Sequence, residues 1–278
     1  MLTANSCFGQ FIVPDEGLFT EHPFFDAEFL KHWKIKKITS DYQFKKDNDV
    51  IRERMKRKQY VFDRKGKLVS SNVQVHSKKG LQMTDIAYRY DRSQRLTAIR
   101  KSDPYGFHTV HFVWNNEGRM VKKFQTRTDF SQQNNQEKIV WRDSIECVEH
   151  KCVYYNDGNH AYKESIVLFN EQENCKSIIT TYYRGNTTGY QKVWYNDDHF
   201  ISAIEKKEGF PGSKTIRFEY AYDSKNRIEQ EDYFENGEHI YTRKLSYTAM
   251  QGYPELNLIR YHQKKYIDII QYTITFFE

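Results

Sequence analysis

No run in this chain approaches the roughly 20 consecutive apolar residues of a membrane-spanning helix, which excludes a helical membrane protein and points to a water-soluble one. Cysteine is also scarce: four residues in 278 are too few for a disulfide-dense scaffold. With Cys7 set aside, Cys147, Cys152 and Cys175 form an odd set, so at most one bridge forms among them. Cys147, His150 and Cys152 lie close in sequence. On one continuous strand, however, His150 and Cys152 share a face while Cys147 points to the other, so no metal site and no cofactor are expected. The signatures of catalysis are missing too. There is no nucleophile elbow, phosphate loop, HExxH or pair of positioned carboxylates. His108 and His111 fall on opposite faces of a strand and His199 falls in a turn, so no catalytic residues are assigned.

Apolar residues make up only 38% of the chain and mean hydropathy is -0.86, yet aromatics reach 16%, with 21 Tyr and 19 Phe. That is too aromatic for a disordered chain. Tyr and Phe must supply much of the buried surface, and with Val, Ile and Thr they favour strands because their bulk packs on a pleated surface.

The formal charge of +6 is unevenly spread. Residues 31–123 hold 24 Lys or Arg against 9 Asp or Glu, a net of +15, while residues 1–30 carry -5 and residues 124–278 carry -4. Such a field can steer an anionic partner, and Lys56, Arg57 and Lys58 beside Tyr60 are its candidate polyanion contacts. The plainer alternative is a solvated basic face, or one that meets the acidic half of another copy. At the start, Ala4-Asn5-Ser6-Cys7-Phe8-Gly9-Gln10 reads like the cleavage end of a secretory signal whose preceding regions are missing, against an ordinary disordered start. Residues 1–9 are therefore expected to be a signal remnant, with Cys7 a poor lipobox match.

Phe25, Phe29 and Trp33 stand four residues apart after Pro23, the spacing of one helix face, so a short helix is expected to cap the exposed edge or end of a sheet. From about residue 34 the period is two. In Ile216–Tyr222, Ile216, Phe218, Tyr220 and Tyr222 face one way while Arg217 and Glu219 face the other. Turn signals recur at Lys65-Gly66, Glu117-Gly118, Asp157-Gly158, Gly185-Asn186 and Asn236-Gly237. Aligned on these turns, Phe62-Asp63, Tyr90-Asp91, Trp114-Asn115 and Tyr222-Asp223 open copies of one unit, aromatic, Asx, variable loop, basic, aliphatic. Weaker copies centre on Tyr155-Asn156, Phe169-Asn170 and Tyr195-Asn196. The aromatics step by 28, 24, 41, 14, 26 and 27 residues, so a unit is about two strands. The Asx side chain can bond backbone amides two residues on and start the turn. The basic residue is expected to lie across the preceding aromatic, and the aliphatic to return to the buried face. Seven Asx residues at equivalent turns are structural groups, not seven catalytic acids.

At these residues, Tyr88 to Leu96 and Tyr220 to Ile228 above all, the sequence resembles the YD-repeat (Rhs-type) family over about residues 58–250. The resemblance implies a continuous β meander that can curl into a shell, which in large members encloses a toxin or serves adhesion. Family shells use many more repeats, and their processing region has no counterpart here. Asp103-Pro104-Tyr105-Gly106-Phe107 reads as a tight turn. The expected fold is all-β: a long antiparallel meander of hairpin repeats forming a curled sheet or partial shell, with one short N-terminal capping helix. A cap over residues 10–50 and a single repeat array over 51–278 complete the chain. About 220 residues at roughly 13 per strand and turn give on the order of 17 strands, past the roughly 10 at which open sheets curl or close. The expected function is a non-catalytic binding or scaffold protein, periplasmic, cell-surface or secreted, whose ligand is a glycan or another protein. Its candidate contacts are Trp114, Tyr182, Tyr183, Tyr190 and Trp194. The alternatives are nucleic-acid or other polyanion binding through segment 31–123, and an enzyme whose acids come together from distant strands of a β shell.

Overall fold

A computed structural model describes residues 25–77, 80–130, 137–172, 174–248 and 252–278. The expected signal remnant at residues 1–9, Cys7 and Pro23 lie outside the described residues. One helix, α1 (Ala27–His32), precedes the strands β1 (Ile35–Lys46), β2 (Ile51–Phe62), β3 (Leu68–Ser77), β4 (Gly80–Tyr90), β5 (Leu96–Asp103) and β6 (Gly106–Trp114). Next come β7 (Met120–Asp129), β8 (Lys138–Val148), β9 (Lys151–Tyr155), β10 (Ala161–Phe169), β11 (Cys175–Tyr182) and β12 (Thr187–Tyr195). The last six are β13 (Ile201–Lys207), β14 (Thr215–Tyr222), β15 (Ile228–Glu235), β16 (Glu238–Tyr247), β17 (Pro254–Tyr261) and β18 (Tyr266–Phe276). All-β character and the antiparallel meander are as the sequence led one to expect. The open curled sheet is not: strand order follows the chain and β18 pairs back onto β1, so the ladder closes into a β-barrel. β1 is held on both sides, Ser40 opposite Tyr272 of β18 and opposite Lys58 of β2, which leaves its backbone groups no free edge.

Two compact units divide the chain. The first gathers the described residues of Met1–Gln82, Val193–Glu205 and Thr215–Glu278. Its core holds Leu30, Ile35, Ile38 and Phe62, with Ile201, Ile228, Leu245 and Ile270. The second gathers Met83–Lys192 and Lys206–Lys214, with Tyr88, Ile99, Phe112, Ile145 and Ile178 buried.

The repeated corner is one geometry used many times. Asp63 Oδ1 accepts from the amides of Lys65 and Lys67, and Asp223 Oδ1 from those of Lys225 and Arg227. Asn156 and Asn170 each bond the amides two and four residues on, and Asn115 and Asn196 the amide four on. The fourth residue of the corner is left-handed at Gly66, Gln94, Gly118, Asn159, His199 and Asn226. The aliphatic that follows returns inward, as Leu68, Met120, Ile201 and Ile228 all do. The register slips by one residue before the aromatic at Phe62, Tyr90, Trp114, Phe169 and Tyr222. Such a bulge bends the strand and re-aims its side chain. Freed in this way, Trp114 Nε1 donates to the Leu96 carbonyl at 2.7 Å and Tyr222 Oη to that of Ile201 at 2.6 Å. Tyr247 does the same to Ile228 at 2.6 Å. Each brace ties an aromatic to the aliphatic of an earlier corner.

The basic residue of the motif behaves differently from expectation. Arg227 pairs with Asp223 of its own corner at 2.6 Å and lies over the ring of Tyr247, on a later strand, at 4.4 Å. The helix also differs in extent. Asp26 accepts from the amides of Glu28 and Phe29 and so starts the helix after Phe25. Phe25 packs edge-on against Tyr60 and Phe62 instead. The helix covers the end of the β2–β3 hairpin rather than an edge, since the closed ladder exposes none at β1. Gly66, at φ +77°, lets the Ala27 carbonyl approach so closely that any Cβ there would collide with it.

Candidate functional site

Within the first unit, one face of β14–β18 and β1–β2 gathers tyrosines around a buried ion pair. Cross-strand register builds it: Tyr220 lies opposite Glu231, Glu231 opposite Arg243, Leu245 opposite Asn257, and Asn257 opposite Ile270. Ile270 faces Tyr42, and Tyr272 faces Ser40, which faces Lys58. Directly opposed residues share a face, so these side chains converge by construction.

Glu231 is 9% exposed; its Oε1 takes a charge-assisted bond from Arg243 Nη1 at 3.0 Å and another from Tyr241 Oη at 3.1 Å. Arg243 is densely surrounded by protein, yet its side chain keeps 29% of its surface reachable by water. The water-reachable part of Arg243 is the outer end of the side chain, since Nε itself is sealed. Its Nε is buried with no hydrogen-bond partner among the described residues, and so is Oδ1 of Asn257, a residue 3% exposed. Asn257 Nδ2 donates to Tyr272 Oη at 3.3 Å. An orphaned donor and an orphaned acceptor on one face are costly unless something satisfies them.

Burial pushes the Tyr42 hydroxyl up to about 12, with Tyr272 adding to the rise. Burial likewise raises Tyr220, Tyr241 and Tyr272. All four stay neutral at physiological pH and can both donate and accept. The Lys58 ammonium is driven below its ordinary value by burial first, then by Lys56 and Arg243. Lys56 Nζ lies 4.6 Å over the Tyr42 ring.

The second unit has a counterpart. Lys163 lies opposite Tyr154 and Tyr182, with its Nζ 3.9 Å over the Tyr154 ring and its charge disfavoured chiefly by burial. Tyr162 donates to Asp143 at 2.9 Å and Tyr182 to Glu208 at 3.2 Å.

The residues singled out from sequence are not brought to one place. Tyr182 stands on the Lys163 face, whereas Tyr183 bonds Glu164 on the opposite face at 2.6 Å. Tyr190 and Trp194 share one side of β12, Tyr190 under Lys192 and Trp194 under Arg217. Trp114 is engaged as a brace. The basic run is also split. Lys56 and Lys58 point to the tyrosine face, and Arg57 to the other, where it meets Asp41 at 2.6 Å. His108 bonds Gln125 while His111 bonds Thr126, on opposite faces as read, and His199 is a turn residue.

Cys147 and Cys152 correct the sequence reading. Glu149, at φ +51°, turns the chain between β8 and β9. The two cysteines therefore face each other in register, Cα atoms 4.1 Å apart, and form a disulfide. Opposite faces hold only on one continuous strand, and here the two cysteines lie on different strands. Among the described residues no group of three or more His, Cys, Asp or Glu is arranged to hold a metal ion, and no helix is long and apolar enough to cross a membrane.

No family model matches the chain, and no curated protein matches it. Solved structures are similar at low level. A porin-like protein from Bacteroides uniformis aligns with a TM-score of 0.43 and 10% identity, over 87% of this chain and 97% of its own. A Tc holotoxin pore from Photorhabdus luminescens aligns at 0.34 and 10% identity, over 78% of this chain but only 12% of its own. A LolA superfamily protein from Nitrosomonas europaea aligns at 0.30 and 8% identity, over 91% and 92%. At these scores the likenesses assign neither a family nor an activity.

Missing from the sequence reading were Arg243, Glu231, Asn257, Tyr42, Tyr241 and Tyr272. Tyr220 stood on a strand whose alternation was legible. Its partners come from strands up to 178 positions away in number, and only the register joins them.

Proposed function

We propose that this chain is a non-catalytic binding protein of the cell envelope or the secreted space, holding a small polar ligand against the tyrosine face of its first unit. The observation that carries this is Arg243: a charged side chain set beside Tyr220, Tyr241 and Tyr272, paired with Glu231 and still partly reachable by water although its Nε is sealed. Glu231 already serves Arg243 and Tyr241, so the pair fixes donors and acceptors in place rather than exchanging protons. The cross-strand disulfide supports an oxidising compartment. The face opposite the tyrosines carries Arg57–Asp41 and Arg217–Glu219 pairs. Each Lys or Arg facing lipid at midplane would cost about 2–4 kcal/mol, so that face suits water. The recurrent Asx corner supports kinship with YD-type repeats. The division into a signal remnant at 1–9, a cap at 10–50 and an array at 51–278 belongs to the same proposal. Polyanion binding through Lys56, Arg57 and Lys58 is the weaker reading, because the three do not share a face.

The test is a thermal-shift screen of the full chain against mono- and oligosaccharides, dicarboxylates, nucleotides and inorganic anions. At least one class should raise the melting temperature of the native protein and leave that of Arg243→Met unchanged. A screen with no stabilising compound, or stabilisation that survives the substitution, would sink the proposal.

A further inference from the structure

On the face of the first unit that turns away from the tyrosines, register sets Glu219 of β14, Asp232 of β15, Thr242 of β16 and Arg260 of β17 side by side. Two histidines reach this row from the nearby turns. His239 stands near the start of β16, two residues after Gly237, and His262 directly follows β17. His262 is exposed and the His239 side chain keeps 35% of its surface open to water, so a small ion in solution can reach both.

Both rings aim one nitrogen at the same atom. Nε2 of His239 and Nε2 of His262 each lie 3.2 Å from Thr242 Oγ1, and the ring centroids are 3.9 Å apart. His239 is steadied by Phe234, stacked at 4.6 Å, and by Asp232 Oδ1, 3.0 Å from its Nε2. The carboxylate is fixed in turn, accepting from Thr242 Oγ1 at 2.6 Å and from Gln230 Nε2 at 2.7 Å. Zinc takes imidazole nitrogens at about 2.0–2.1 Å, so neighbouring ligand atoms of a tetrahedral site stand about 3.3 Å apart. The two separations of 3.2 Å between histidine and threonine match that spacing. A neutral imidazole with its proton on Nδ1 turns the Nε2 lone pair toward the shared point. The other charges of the row are occupied: Arg260 by Asp47 at 2.9 Å and Glu219 by Arg217 at 2.8 Å.

We propose that His239 and His262 form a two-imidazole clip for a divalent transition-metal ion of the zinc, nickel and copper group. The Thr242 hydroxyl and water complete its shell, and Asp232 balances its charge from behind. Among the described residues no set of three His, Cys, Asp or Glu is arranged to hold an ion, so the tie rests on the two rings, and rotation of the exposed His262 ring closes it. Imidazole suits these metals, whereas calcium and magnesium require oxygen ligands. A bound ion fastens the strand that leaves the β15–β16 turn to the turn that follows β17. The clip lies on the opposite face from Arg243 and does not depend on a ligand there.

The experiment is isothermal titration calorimetry of the full chain, stripped with EDTA, against zinc, nickel, calcium and magnesium chlorides, with copper(II) followed by electron paramagnetic resonance. Zinc and nickel should bind at one site, and calcium and magnesium should give no heat. The copper spectrum should show coupling to two nitrogens. Zinc should raise the melting temperature, as any ligand of the native state does, and His262→Ala should abolish that rise and weaken zinc about tenfold or more. Asp232→Asn should weaken it about 10–100-fold, the usual loss when a group supporting a metal's ligands is changed. His150→Ala, at an exposed histidine of the second unit, should leave it as it is. Binding should also weaken on acidification, because protons compete for the same nitrogens.

His262 is on the surface, and circular dichroism verifies that its variant folds. Zinc binding that survives in folded His262→Ala, a copper spectrum with a single nitrogen, or no zinc heat at all overturns the clip. Calcium binding as tight as zinc overturns the class of ion. An affinity unchanged in Asp232→Asn removes the carboxylate from the proposal.

Discussion

Tyr247 Oη donates to the Ile228 carbonyl at 2.6 Å, and Tyr222 Oη makes the same bond to Ile201 at the same distance. An aromatic is thereby fastened in each case to the aliphatic of an earlier corner. Substituting phenylalanine keeps the ring but leaves a carbonyl unsatisfied, so Tyr247→Phe should lose about 1–2 kcal/mol. Its urea midpoint falls with no change in slope. Tyr105→Phe, on a residue 76% exposed, should leave the midpoint within about 0.5 kcal/mol of the parent. Equal losses at the two positions would refute the bracing role.

Asp63 uses one carboxylate oxygen to bond two amides of its corner. Asparagine fills the equivalent place at residues 115, 156, 170 and 196. Asp63→Asn should therefore be neutral within about 0.5 kcal/mol, and Asp63→Ala should cost about 1–2 kcal/mol through the lost turn bonds. Equilibrium unfolding of both variants decides it, and a costly asparagine would show that charge, not geometry, selects the residue.

The corners were legible because Asx, the left-handed fourth residue and the buried aliphatic all lie within nine positions of one another. Strand number was legible for the same reason, on the order of 17 from spacing against 18 among the described residues. Closure was not. The bond row between β1 and β18 joins Ile35 to Phe276, and nothing local to either end announces the other. The disulfide was hidden by Glu149, a residue type that does not advertise a turn as Asn-Gly does. At Lys56-Arg57-Lys58 the run of charge suggests one patch, while period two separates Arg57 from its neighbours. The Arg243 site needed the register of β14–β18 and β1–β2, which depends on bulges at positions the sequence does not mark.

Asp103 is held down to about 2, first by the hydrogen bond from Arg127 and then by the Tyr105 amide. Its unfolded value is about 3.9. A depressed carboxyl contributes stability that is fully present above the unfolded value and is lost as pH falls through the folded one. Melting temperature should therefore drop between about pH 4 and pH 2. In Arg127→Gln the drop attributable to Asp103 should shrink, because the folded carboxyl returns toward its ordinary value. Parallel melting profiles for the two proteins across that window would rule out the pairing as a source of acid sensitivity.

Cys147 and Cys152 face each other across a hairpin, so their bond closes a very short loop. In the chain-entropy account such a loop is worth about 2 kcal/mol at most, too little to explain the bond as a requirement for folding. Cys147→Ser with Cys152→Ser should therefore give a folded protein of slightly lower melting temperature. What the bond reports is compartment, because a glutathione-buffered cytosol would keep the pair reduced. Protein isolated from its native host under acid quench, then unfolded and alkylated without reductant, should show both residues unlabelled on peptide mapping. Labelling of both would place the chain in a reducing compartment and remove the support for an exported ligand-binding protein, while leaving the fold and the Arg243 site as they stand.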